Sequence, residues 1–323
     1  MKNLGIGVIG TGFWGKNHIR VFSNLENVEL IAVCDIDHNR VKEVADKYKL
    51  HSYSNVEELL MRDDIDAVSL CTPTTTHYKI ALKAIEYGKH LFLEKPMVSN
   101  TDEAKRILEE VEKKQIQLMV GFIERFNPAV QKVKTLIKDG VLGEVVLAFA
   151  KRVGRWPERI GDVGVVKDTA IHDLDIMRFI FEQEPKSVYA RMGNLGHTLW
   201  DYAQIMLGFN AIQTGFIEAN WLTPRKMRIL TVTGKEAVIT LNYLSQEITI
   251  EDYEKQRELP HIWEEPLVLE LKEFVQSILE DREPKVTGWD GLKALTIAEA
   301  AIKSARLERV VGIDQKTVVN QRN

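Results

Sequence analysis

Residues 4–35 constrain this chain more than any other stretch. They open with an apolar run, Leu4-Gly5-Ile6-Gly7-Val8-Ile9, of the kind that forms a buried parallel strand. The turn Gly10-Thr11-Gly12-Phe13-Trp14-Gly15 follows, then a helical pattern over 16–23 and a second apolar strand over 28–34 that ends at Asp35. In such a unit the first glycine permits a tight turn, the second lets backbone approach a pyrophosphate, and the third lets the helix pack onto the strand. The free N–H groups at the helix start hold the phosphates. Asp35, 20 residues beyond Gly15, stands where an acid accepts from a ribose 2′-hydroxyl. Gly10, Gly12, Phe13, Trp14, Gly15 and Asp35 are therefore cofactor candidates. The charge of Asp35 would repel a 2′-phosphate, which favours NAD over NADP.

The first third of the chain alternates strand and helix, with strands expected over 67–70, 90–93 and 117–120. Such alternation requires a parallel sheet covered on both faces. After Gly121 the pattern changes to a helix over 128–138, a strand over 144–153, a helix over 169–181 and then a succession of strands. The expectation is an α/β protein of two domains. Residues 1–121 form a doubly wound Rossmann domain, and residues 122–323 form an α+β domain with a large open, mostly antiparallel sheet. The last two helices, over 267–280 and 292–307, are expected to pack back near the first domain.

A chain of 323 residues can fill two cores, and its net charge of −4 gives no reason to expect a nucleic-acid partner. No apolar run approaches a membrane span, and the first residues read as a strand rather than a leader. Cys34 and Cys71 each end a predicted buried strand without metal-ligand spacing. Reduced core cysteines and a cytoplasmic location are expected, and no metal.

Three further stretches bear on chemistry. Cys71-Thr72-Pro73-Thr74-Thr75-Thr76-His77 directly follows a parallel strand, where ligands bind, so Thr72, Pro73 and His77 are placed along the cofactor. A threonine here would equally serve as a helix cap. Glu94-Lys95-Pro96 follows another strand, and a lysine held at the opening of the crevice is poorly hydrated and suited to moving a substrate proton. The bond before Pro96 can be cis. In Asp168-Thr169-Ala170-Ile171-His172-Asp173-Leu174-Asp175, positions 168, 172 and 175 share a helical face. Asp168 could orient His172 for acid–base chemistry, or it could merely cap the helix over a satisfied core histidine. Lys151, Arg152, Arg155 and Arg159 concentrate charge just before that helix, where guanidinium groups could hold phosphate and Trp156 could stack on a ring.

The glycine turn with His18, Glu94-Lys95-Pro96 and the Asp168/His172 pair together resemble the glucose–fructose oxidoreductase/inositol dehydrogenase/MocA family, over essentially the whole chain. That resemblance implies an NAD(P)-dependent oxidoreductase of sugars, inositols or related polyols, with Lys95, Asp168 and His172 as its catalytic group and Glu94 and Lys95 near the cofactor. The stretches 121–128, 152–157, 162–166 and 218–224 resemble the branch that contains UDP-N-acetylglucosamine 3-dehydrogenases. It implies a nucleotide sugar as substrate, with Arg125, Asn127, Arg152, Arg155, Trp156 and Arg159 joining Lys95, Asp168 and His172 around it. The alternatives are a dehydrogenase of inositol or a free monosaccharide, and a non-catalytic NAD(H)-sensing protein. Either Lys95 or His172 could take the hydroxyl proton. The open sheet is expected to leave an apolar face that a second copy covers, in a homodimer or homotetramer.

Overall fold

A computed structural model describes residues 3–157 and 161–314. The chain begins β1 Leu4–Ile9, α1 Phe13–Phe22, β2 Val28–Cys34, α2 His38–Tyr48, β3 His51–Tyr53 and α3 Val56–Leu60. It continues β4 Ala67–Leu70, α4 Thr74–Glu86, β5 His90–Glu94, α5 Thr101–Lys114 and β6 Leu118–Gly121. After a 3₁₀ turn at Ile123–Phe126 come α6 Pro128–Lys138, β7 Val145–Arg155, a π-helical turn at Val166–Ala170 and α7 Ile171–Phe181. Strands β8 Ser187–Gly193, β9 Tyr202–Gly208, β10 Thr214–Asn220, β11 Leu222–Gly234, β12 Ala237–Asn242, β13 Ile248–Asp252 and β14 Gln256–Glu258 follow. Helices α8 Pro266–Leu279 and α9 Gly288–Leu307 and the short β15 Val311–Gly312 complete the described chain. No described helix is long and apolar enough to cross a membrane.

The chain divides into two units, Met1–Gly121 with Leu267–Leu292, and Phe122–Pro266 with Lys293–Asn323. In the first, all six strands are parallel in the order β3-β2-β1-β4-β5-β6. This is the doubly wound order, with its switch point between β1 and β4, where a crevice opens beyond the strands' carboxyl ends. Helices cover both faces, so the strands are apolar on both sides: Ile6, Val8, Ile9, Ala32, Val33, Val68, Leu70, Leu91, Phe92 and Leu93 are buried. The segment 267–292 belongs to this unit rather than to the second domain assigned above. Its Phe274 ring packs edge-on against Phe92 at 5.5 Å, and Val120 N–H donates to Val286 O at 3.3 Å. A sequence boundary drawn once cannot register a chain that returns to its first sheet.

The second unit is built on a nine-stranded sheet ordered β14-β13-β12-β11-β7-β10-β9-β8-β15. Its pairs are antiparallel except β7 with β10. Side chains alternate across it: Ala203, Ile205 and Leu207 of β9 and Ile217 and Ala219 of β10 face the core. Leu147, Phe149, Met206 and Phe216 remain substantially exposed. On the core side, ten of the eleven residues of α7 are buried. A helix buried all round is normally apolar. This one carries His172, Asp173, Asp175 and Arg178, so each charge has to be matched locally.

Candidate active site

The glycine turn is fixed by contacts only glycine allows. Gly10 sits at φ +93°, and a Cβ there would come within 2.7 Å of the Cys71 carbonyl oxygen. A Cβ on Gly15 would lie 1.8 Å from the Gly10 carbonyl oxygen, so α1 can seat itself against β1 only because no side chain intervenes. A Cβ on Gly12 would meet nothing within 4 Å. The protein thus leaves the space above the start of α1 open, at the helix end whose N–H groups favour anions. Phe13 is largely exposed, and Trp14 Nε1 is buried with no acceptor among the described residues. Open backbone, a positive helix end and an acid closing β2 fit a dinucleotide.

The loop after β4 is held rather than capped. Pro73 occupies the N-cap of α4 and no side chain caps the helix; the Thr76 hydroxyl instead donates to Pro73 O at 2.7 Å and lies 2.7 Å from Thr72 Oγ1. His77, expected along the cofactor, has both ring nitrogens beside carbonyl oxygens of the protein. It is buried, with Nε2 2.9 Å from Thr72 O and Nδ1 3.1 Å from both Pro96 O and Met97 O. Burial holds its imidazole below the ordinary range. It ties the loop after β4 to the loop after β5, a bracing role that spacing alone does not reveal.

Below that brace lies a polar cluster. Glu94, the last residue of β5, accepts from His18 at 3.0 Å on Oε1 and from the Lys95 N–H at 3.2 Å on Oε2. His18 Nδ1 lies 2.8 Å from Ser69 Oγ. Burial acts to lower the His18 pKa, but Cys71 and Glu94 outweigh it and push it up to about 10. Glu94 is therefore engaged inside the protein, and its part is to set the main chain of Lys95. Lys95 itself is buried, followed by a cis bond to Pro96.

In the second unit Asp168 lies within the π-helical turn, not at a cap, and His172 stands one residue into α7. A π turn closes i→i+5 bonds, so each residue advances less around the axis, and positions four apart come nearer to one face. Both side chains are buried. The Thr169 hydroxyl donates to Asp168 Oδ2 at 3.1 Å and accepts from Trp221 Nε1 at 2.8 Å. Trp221 packs edge-on against Trp156 at 4.7 Å, and one face of Trp156 is covered by His197 at 3.4 Å. Thr169 and Trp221 are thus supports of Asp168 that sequence reasoning missed; the stretch 218–224 was noticed but its link to Asp168 was not.

The arginines divide into two groups. Arg152 grips Asp173 with Nε at 2.8 Å and NH2 at 3.0 Å, and its NH1 donates to Glu124 at 2.8 Å. It is 3% exposed and lies over the Tyr243 ring. Burial acts to raise the Glu124 carboxyl, yet Arg152 and Arg228 hold it below the ordinary range. Arg125 makes a bidentate pair with Asp175, at 2.6 and 2.7 Å, and covers the Phe179 ring. Asn127 caps α6, accepting from Ala129 N, and donates to Glu124 and to Tyr243 O. Arg152 and Asn127, expected at the substrate, have their polar groups taken up by buried partners. Arg125 is largely committed to Asp175. Lys151 pairs with Glu218 at 3.1 Å.

Arg155 differs. It is exposed at the end of β7 and donates from Nε to Pro224 O at 3.0 Å, which brings it beside exposed Arg225 and Lys226 on β11. These two residues follow a stretch noted in the sequence but were not singled out. Arg159 lies outside the described residues.

The family's description as oxidoreductases with an NAD-binding Rossmann fold matches at residues 4–122, and its C-terminal domain matches at 130–240. An uncharacterized oxidoreductase of Bacillus subtilis, YrbE, is 30% identical over 97% of both chains. The chain belongs to the GFO/IDH/MocA oxidoreductase family. It is an NAD-dependent enzyme acting on a CH–OH group. The myo-inositol 2-dehydrogenase of Thermotoga maritima is 27% identical over 96% of this chain and 98% of that one. UDP-N-acetylglucosamine 3-dehydrogenase GnnA from Acidithiobacillus ferrooxidans superposes with a TM-score of 0.87 at 25% identity, over 95% of this chain and 99% of that one. Levoglucosan dehydrogenase in complex with NADH shares the fold, with a TM-score of 0.90 at 23% identity over 97% and 100% of the two chains.

Proposed function

We propose that this member of the GFO/IDH/MocA family oxidises a ring hydroxyl of a nucleotide sugar, UDP-N-acetylglucosamine at C3, to the ketone. Bound NAD supplies the hydride acceptor. The chain's own part is the proton: His172 takes it from the hydroxyl, Lys95 hydrogen-bonds the developing oxyanion, and Asp168, braced by Thr169 and Trp221, keeps the imidazole oriented. The observation that carries the substrate is the exposed cluster of Arg155, Arg225 and Lys226. It connects through Trp156, Trp221 and Thr169 to Asp168, so cations fit for a diphosphate lie in contact sequence with the acid–base helix.

A second reading, an uncharged inositol, is favoured by the internal use of Arg152 and by the inositol dehydrogenases among the relatives. NADH absorbance with UDP-N-acetylglucosamine, UDP-glucose, myo-inositol and glucose separates the two. The nucleotide-sugar reading expects turnover with UDP-N-acetylglucosamine, and a KM for it that rises in Arg155→Ala and Arg225→Ala while kcat holds. Turnover with myo-inositol that ignores both arginines overturns it. The same reading includes a cytoplasmic enzyme, in keeping with free Cys34 and Cys71. It also includes a second copy covering Leu147, Phe149, Met206 and Phe216, which a monomeric mass in light scattering would remove.

A further inference from the structure

The imidazole of His197 lies flat on the indole of Trp156. The ring centroids are 3.4 Å apart and the planes 17° from parallel, so the two rings overlap almost fully. Aromatic rings prefer an offset or edge-on arrangement to full overlap, so this contact is one that another ring could replace. Trp156 is the fixed member of the pair. It is partly buried against the core and meets Trp221 edge-on, at 4.7 Å and 86°. His197 is the loose member. It is partly exposed, and among the described residues its ring nitrogens make no hydrogen bond.

His197 stands on the loop between β8 and β9, which is held at its stem. Fully buried Asp201 accepts from Leu195 N at 2.9 Å and Gly196 N at 3.0 Å, and its own N–H donates to Gly193 O at 3.0 Å. Nearer the tip, Asn194 Nδ2 donates to His197 O at 2.9 Å, which fixes main chain and leaves the imidazole free to turn. A change of χ1 at His197 therefore uncovers Trp156 without disturbing the stem. The face so uncovered adjoins the exposed cations. Arg155 precedes Trp156 in the chain and donates to Pro224 O at 3.0 Å, beside Arg225 and Lys226. An aromatic plate next to guanidinium groups suits a nucleotide, since the plate stacks on the base and the guanidinium pairs with phosphate.

We propose that Trp156 is the stacking platform for the base of a nucleoside diphosphate, and that His197 covers it as a place-holder which the base displaces. On the nucleotide-sugar reading above, on which this subsite rests, Trp156 holds the end of the substrate farthest from the reacting hydroxyl. His197 then competes with the base. The base binds only while the platform is open, so its apparent affinity is reduced by the fraction of time the imidazole lies on Trp156. A sugar without a base gains nothing by moving His197. The imidazole thus sets how much the nucleotide counts in substrate choice.

Calorimetric titration of the full chain with UDP and with inorganic pyrophosphate tests it. His197→Ala is expected to bind UDP ~3-fold or more tightly than wild type and to leave pyrophosphate affinity within ~2-fold. Trp156→Leu is expected to weaken UDP by ~10-fold or more. NMR of the histidine-labelled chain reads the displacement directly, and still decides if Trp156→Leu does not fold. The His197 ring protons, assigned by their loss in His197→Ala, lie upfield because they sit over the indole, and UDP is expected to move them downfield while pyrophosphate does not. UDP affinity that does not rise in His197→Ala, or ring protons that UDP does not move, overturns the proposal and makes the stack a brace for Trp156. So does an equal shift with free N-acetylglucosamine. In any of these cases continued turnover of UDP-N-acetylglucosamine leaves the nucleotide-sugar reading standing. Oxidation of myo-inositol by a chain that binds no UDP, in wild type or either variant, overturns both.

Discussion

The two units handle charge in opposite ways. In the first, the cofactor side is made of main chain: open backbone at Gly12, a helix start and one acid whose partners lie at Thr11, Asp37 and Arg40. In the second, the buried helix proposed to carry the acid–base chemistry has Asp173 matched by Arg152 and Asp175 by Arg125, 21 and 50 positions away, beside the local pairs of Arg178 with Asp175 and Glu184. A site made of local backbone constraint can be read from a short motif. A site whose charges are allocated by long-range pairing cannot, because a guanidinium looks the same in sequence whether it awaits a phosphate or is spent on a buried carboxylate.

The sharpest way to test that contrast is to remove one spent arginine and one exposed arginine. Arg152→Met leaves Asp173 and Glu124 buried without their main cation. A broken buried pair of this kind costs roughly 3–5 kcal/mol, so the midpoint of urea unfolding is expected to fall steeply. A loss below ~1 kcal/mol would mean that Arg152 is not structural and would return it to the list of substrate ligands.

This also marks what the sequence could disclose. The doubly wound order, the open antiparallel sheet and the place of Lys95 after β5 followed from strand–helix alternation and glycine spacing. The parallel pairing of β7 with β10 did not, since strand neighbours far apart in sequence carry no local signal. Nor did the π turn at Val166–Ala170, which differs from an α turn by a single hydrogen-bond step. His18 was visible in the motif, but its bond to Glu94 joins residues 76 apart and appears only once β1, β4 and β5 are side by side.

That His18 pair is the next largest effect. Hydrogen bonds to charged groups contribute about 1.5–3 kcal/mol, and His18→Gln keeps a donor for Glu94 while removing the charge. The folded pKa, about 10, is raised above the unfolded value of 6.5, so the folded state binds the proton more tightly. The stabilisation is then complete below pH 6.5 and is lost as pH climbs towards 10. Urea unfolding of both proteins across that range should show the wild-type lead shrinking with pH. A lead that does not vary would mean the ring is neutral when folded.

The glycine turn separates folding from binding. Gly15→Ala places a Cβ against the Gly10 carbonyl and must push α1 off β1, at about 1–3 kcal/mol or more, with NAD binding lost alongside. Gly12→Ala meets nothing in the protein, so its melting temperature should match wild type while NAD affinity drops ~10-fold or more. Gly12→Ala with unaltered affinity would show that the open space is not where the pyrophosphate lies.

Arg155→Met is expected to have the smallest effect on folding and so completes the comparison with Arg152. Its guanidinium is exposed and, among the described residues, donates to Pro224 O, so unfolding should stay within about 0.5 kcal/mol of wild type. Its effect belongs in the kinetics instead. An arginine that contacts a diphosphate in ground and transition state alike raises KM and leaves kcat in place. A rise in KM for UDP-N-acetylglucosamine, with none for a free sugar, would make Arg152 and Arg155 opposite in kind although only three residues separate them. If both variants lose stability and neither changes KM, the basic stretch after β7 is scaffold throughout, and substrate choice has to come from uncharged groups.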